Sequence, residues 1–114
     1  MTEQEQSILD SLRRQYDALD AKRPAFLDSA SGCSPAQKAL YADAVNQALT
    51  NLTDAQNALL ERDESLIQQI SMKVQKADQD IHSALISLED IAQRINKMTG
   101  AVNSVTTVLK ICIP

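Results

Sequence analysis

Residues 67–112 read IQQISMKVQKADQDIHSALISLEDIAQRINKMTGAVNSVTTVLKIC, and the spacing within them decides the fold. Steps of seven from Ile67 give Ile67, Val74, Ile81, Leu88, Ile95, Val102 and Leu109. The interleaved steps give Ile70, Ala77, Ala84, Ile91, Met98, Val105 and Cys112. All fourteen positions are apolar in a chain that is 44% apolar overall, a coincidence that chance rarely supplies. In coiled-coil terms the first set is a, mostly β-branched, and the second is d, with alanines in the middle where a neighbouring helix can come close.

The segment upstream carries a second stripe. Tyr41, Val45, Ala48, Leu52, Ala55 and Leu59 recur at alternating spacings of four and three, one face of a helix. Its start is well marked: Ser34 is placed to cap, Pro35 occupies the first helical position, and Gln37 completes a capping box. The two stripes are out of register by one residue across LLERDESLIQQI. A tight turn over Glu61 to Ser65, with Ser65 and Gln68 as a further capping pair, folds the flanking helices into an antiparallel hairpin. The rival is one uninterrupted helix from 35 to about 98, roughly 95 Å long, which would require a coiled-coil dimer to cover its stripe.

Residues 23–34, RPAFLDSASGCS, hold Pro24 and Gly32 and read as a linker. Before it, Leu9, Leu12, Tyr16 and Leu19 keep helical spacing behind a capping box of Thr2 and Glu5, and Pro24 should stop that helix. The expected fold is therefore all-α. It is an antiparallel bundle of three to four helices with heptad packing, the helices near 2–22, 35–61, 65–99 and 101–112, in a single domain spanning 1–114.

Composition agrees with that class. Fifteen alanines, three aromatic residues (Tyr16, Phe26 and Tyr41), two glycines and three prolines suit long, close-packed helices better than a turn-rich β protein. Eleven basic and fifteen acidic residues give a net charge of −4, and the basic ones are scattered along the chain. Binding to a phosphate backbone needs a positive face, so nucleic acid is not the expected partner. The acidic start MTEQEQSILD lacks the features of a secretory signal, and no stretch is apolar enough to span a bilayer. The expected location is the cytoplasm, with leaderless export left open.

Chemistry is sparsely signalled. Asp78 and His82 stand four apart near Asp80, but a metal site needs further ligands that the sequence does not place there. Cys33 and Cys112 form neither a disulfide framework nor a metal motif, and nothing sets Cys33 beside His82, the one histidine. No glycine-rich phosphate loop is present. The expectation is a protein with no catalytic, metal or cofactor site.

The end of the chain, TGAVNSVTTVLKICIP, holds one charge, Lys110, against twenty-five in the preceding ninety-eight residues. Alone it has strand composition, yet it continues the seven-residue register past Gly100, so helix is the better reading. A third helix run to residue 112 would overshoot the second by some 19 residues unless the chain turned at Gly100. Such an apolar overhang would be left for a partner to cover. Met98, Val102, Val105, Val108, Leu109, Ile111 and Ile113 are therefore the candidate interaction surface of a non-enzymatic protein that binds another protein or itself. The alternative is a membrane-active helical protein using the same segment, although a basic face is lacking there.

Overall fold

A computed structural model describes residues 2–27, 32–58, 64–86 and 90–112. Every element among them is an α-helix: α1 (Glu3–Ala21), α2 (Arg23–Leu27), α3 (Pro35–Ala58), α4 (Glu64–Ile86) and α5 (Ile91–Cys112). The local signals explain most of the starts. Thr2 caps α1, its hydroxyl accepting from the Glu5 backbone N–H at 3.2 Å. At α3 the Ser34 hydroxyl accepts from the Gln37 N–H at 3.1 Å while the Gln37 side chain accepts from the Ser34 N–H at 2.8 Å, a complete capping box.

The expected third helix over 65–99 is two helices. The chain leaves α4 at Ile86 and enters α5 at Ile91, and Gly100 lies inside α5 as a helical residue, not at a turn. Asp90 makes the new start. Its carboxylate accepts from the Gln93 N–H at 2.9 Å and its carbonyl from the Arg94 N–H at 3.1 Å. Arg94 then reaches back and donates to the Ala84 and Leu85 carbonyls, both at 2.8 Å, satisfying groups that the last turn of α4 leaves without helical partners. A separate helix over 101–112 therefore does not exist.

Three further expectations are corrected. Residues 23–34 are not all linker, because α2 occupies Arg23–Leu27, with Pro24 in its first turn where a missing N–H costs nothing. Ser65 is not a cap, since α4 already begins at Glu64. Helices α3 and α4 do not pair as a hairpin. Contacts run from α1 to α3, α3 to α5, α5 to α4 and α4 to α1, so the four long helices form a ring with α3 and α4 across one diagonal. The turn expected at Glu61 to Ser65 falls mostly in residues 59–63, outside the described residues.

Side-chain contacts give the directions. Gln15 and Arg14 of α1 meet Val74 and Asp78 of α4, and Glu3 shares a cleft with Glu64 and Ile67, so α1 and α4 are parallel. Leu40 and Gln47 face Thr99 and Asn103, whereas Asn51 meets Val102 and Thr106, so α3 and α5 are parallel too. Arg94 sits against Ala84 while Lys73 shares a groove with Ser104, making α4 and α5 antiparallel. It follows that α1 and α3 are antiparallel. The long helices have 19, 24, 23 and 22 residues, well matched, and the molecule measures 46 × 24 × 19 Å. A rod from 35 to 98 is excluded, because α3 and α4 run in opposite senses.

The ring buries what the sequence marked as apolar. Of the fourteen seven-step positions, Leu88 and the Cys112 side chain lie outside the described residues. Eleven of the other twelve are buried, and Ile91 is half-buried against the same core. Among the described residues, four polar ones join them: Ser11, Gln15, Asn51 and Ser71. Each parallel pair is tied by one buried amide. Gln15 donates to the Val74 carbonyl at 3.0 Å, and Asn51 donates to the Val102 carbonyl at 3.2 Å while accepting from Thr106 at 2.9 Å and from Gln47 at 3.1 Å. A buried amide left without such partners would cost about 1–3 kcal/mol, so these bonds penalise any slip of one helix along the other.

Candidate functional site

Five of the seven residues expected to form an interaction surface are core. Met98, Val102, Val105, Val108 and Leu109 are at most 6% exposed, packed among the apolar faces of the neighbouring helices. The Ile111 side chain and Ile113 lie outside the described residues. The reason is the reversal between Ile86 and Ile91. It brings α5 back alongside α4, so the overhang never forms and the apolar stripe of the C-terminal region meets its own bundle.

What α5 offers outward is its polar edge. Between α4 and α5 runs an open groove of about 390 Å³. Its floor is made of small residues, Ala77 from α4 with Gly100 and Ala101 from α5, and Ser83, Asn96 and Ser104 stand along its rims. Three lysines line it, Lys73 and Lys76 from α4 and Lys97 from α5, against one carboxylate, Asp80. Lys76 and Asp80 form an exposed ion pair at 3.3 Å. Among the described residues, the groove is thus lined by three lysines and one aspartate, in a chain whose net charge is −4. A methyl group built on Gly100 would meet nothing within 4 Å, so the floor there is open to an approaching molecule.

A second groove, of about 460 Å³, lies between α1 and α4 and is lined by Arg14, Asp17, Asp78, His82 and Leu85 among others. This divides the acidic and histidine residues that the sequence sets close together. Asp78 turns to Arg14 at 3.4 Å and His82 sits exposed beside it, whereas Asp80 belongs to the α4–α5 groove. Among the described residues no three His, Cys, Asp or Glu side chains gather as a metal site would require. Cys33 packs against the edge of the core.

One end of the molecule is held by aromatic residues. Phe26 of α2 stacks on Tyr41 of α3, with ring centroids 4.6 Å apart and planes at 14°, and the Arg94 guanidinium lies 5.1 Å from the Phe26 centroid. The Tyr41 hydroxyl donates to the Leu19 carbonyl in the last turn of α1. With Arg94 bound to the end of α4, this cluster joins all five helices. Burial, assisted by the nearby Asp20 charge, raises the Tyr41 pKa far above the ordinary phenol range, so the ring stays neutral and serves as a donor.

The chain matches no family model, no curated protein and no solved structure.

Two features escape a reading of the sequence by itself. The lysine groove is assembled from residues 73–76 and 97, which look scattered until α5 folds back on α4. The fold-back has a local signal, Asp90 followed three residues later by Gln93, the same spacing as the boxes at Thr2 and Ser34. It sits inside an unbroken seven-step register, which conceals it.

Proposed function

We propose that the protein works without catalysis, as a small helical module that binds another protein through the outer edge of α4 and α5. The observation that supports this is the α4–α5 groove: a concave, lysine-lined strip with an open floor on an acidic molecule. The apolar stripe of the C-terminal region contributes by fixing the two helices side by side, which holds both rims in place. Burial accounts for the apolar residues Ala101, Val102, Val105, Val108 and Leu109 of that region, which face the bundle and are not offered to a membrane. No helix among the described residues is long and apolar enough to cross one. The seven-step register has the form of coiled-coil packing, and we take α4 and α5 to interlock in that manner.

A photo-crosslinking residue placed at Ser104, on the groove rim, tests the proposal against the same residue at Thr53, exposed on α3. In the source cells, a discrete crosslinked species from position 104 and none from position 53 supports it. A product of twice the chain mass would make the partner a second copy. The same products from both positions, or from neither, would contradict it.

A further inference from the structure

We infer that two copies of this chain can exchange α5, with α4 and α5 straightened in each into one helix over 64–112 and the α5 of either copy completing the other's bundle. The inference is independent of the groove and rests on phase. A chain that reverses is free to resume its apolar face at any of the seven steps of a heptad. Here Ile81 and Ala84 of α4 stand fourteen residues before Ile95 and Met98 of α5, all four buried, so a straight helix would present both halves of the core face on one side. The flank agrees. Asp78 and Leu85, which line the cleft against α1, stand twenty-one residues before Thr99 and Thr106, which face α3.

The two helices are also level about residues 88–89, since Arg94 meets Ala84 and Lys73 shares a groove with Ser104. Two straight helices crossing antiparallel at that point would remake, between chains, the contacts that α5 now makes with α3 and α4 within one. The sequence does not oppose the helix, for no glycine or proline lies between Glu64 and Thr99. What favours the closed form is local. The Asp90 carboxylate caps α5, and Arg94 covers the Ala84 and Leu85 carbonyls. Neither contact is needed in a straight helix, where the Gln93 N–H would donate to the carbonyl of residue 89 and the Ala84 carbonyl would accept from the N–H of residue 88. Exchange therefore keeps the core and changes the reversal and the entropy of pairing, so protein concentration sets the balance. At low concentration the closed monomer prevails, and α5 must leave the core before it can be exchanged.

The test uses the full chain with Cys33 and Cys112 replaced by serine, so that no disulfide can join copies, unfolded in urea and refolded at millimolar concentration. Gel filtration with light scattering separates monomer from dimer. Spin labels at Lys73 and Ser104 of one chain, diluted with excess unlabelled chain before refolding, should lie about 46 Å apart in the dimer and below about 20 Å in the monomer. Asp90→Ala removes the cap and leaves a good helix former, so it should raise the dimerisation constant at least about tenfold. Ile91→Pro should lower it by at least about as much, because proline is accepted at the first position of α5 but breaks a straight helix. Circular dichroism confirms that each variant folds, and Ile91→Pro against the parent chain keeps the test open if Asp90→Ala does not. The inference falls if the parent and Asp90→Ala stay monomeric, if the labels in the dimer remain within about 20 Å, as in two closed copies side by side, or if Ile91→Pro dimerises as readily as the parent.

Discussion

Removing one oxygen atom, by Tyr41→Phe, tests the aromatic end of the molecule most cleanly. The ring is fully buried and stacked on Phe26, and phenylalanine keeps that volume and the stacking. What disappears is the hydroxyl that donates to the Leu19 carbonyl. Since α1 ends at Ala21, the Leu19 carbonyl has no partner within its own helix. Leaving it buried and unsatisfied costs about 1–3 kcal/mol, a drop in melting temperature of roughly 4–12 °C for a chain of this size. The same substitution has a signature in pH. The folded state raises the Tyr41 pKa above its unfolded value of 10.0, so the folded protein holds this proton more tightly. The associated stability is fully present below about pH 10 and is lost as pH rises beyond it, by about 1.4 kcal/mol per pH unit, because only the unfolded chain releases the proton. Urea unfolding of wild type and Tyr41→Phe, compared at pH 8 and at intervals above pH 10, isolates this slope from the lysines common to both. The stability gap should narrow as pH rises. A constant gap, or a variant as stable as wild type at pH 8, would refute the account of this end.

Other substitutions probe the core, the reversal and the groove. Ile81→Asp should cost about 3–5 kcal/mol in chemical denaturation by burying an unpaired carboxylate. Asp80→Ala, which removes one partner of an exposed ion pair, should change stability by less than about 0.5 kcal/mol. Arg94→Met keeps the apolar stem but strips the Ala84 and Leu85 carbonyls of their donor, and thermal unfolding should show a loss of about 2–4 kcal/mol. Gly100→Ala should stabilise the fold by about 0.5–1 kcal/mol in the same assay, since the position is helical and the added methyl meets nothing. Thr99→Val should be neutral or stabilising, because the Thr99 hydroxyl oxygen is buried with no hydrogen-bond partner.

The helical class, the apolar positions and the caps at Thr2 and Ser34 were legible in the sequence because each rests on local periodicity or on residues three apart. The path of the chain was not. A seven-step register states which residues face a core, but says nothing of whether the chain reverses between them. Phase is kept from Ile81 to Ile95, so the turn between α4 and α5 left no break, whereas Gly100 looked like a turn and is an exposed helical residue on a groove floor. From that one misplacement came the overhang, and from the overhang the reading of Val102, Val105 and Leu109 as a surface. Helix α2 was hidden in the same way, by a proline that interrupts a helix interior but is accommodated in a first turn. The lysine groove could not be read at all before α4 and α5 were known to be neighbours.

That neighbour relation is the central claim, and a distance measures it directly. Spin labels at Lys73 and Ser104, in a variant lacking Cys33 and Cys112 and mixed with excess unlabelled chain, report the separation within one molecule. The two positions line the same groove, so a distance below about 20 Å is expected. A helix continuing unbroken from α4 into α5 would set their backbones about 46 Å apart, and a distance in that range would contradict the fold and, with it, the groove.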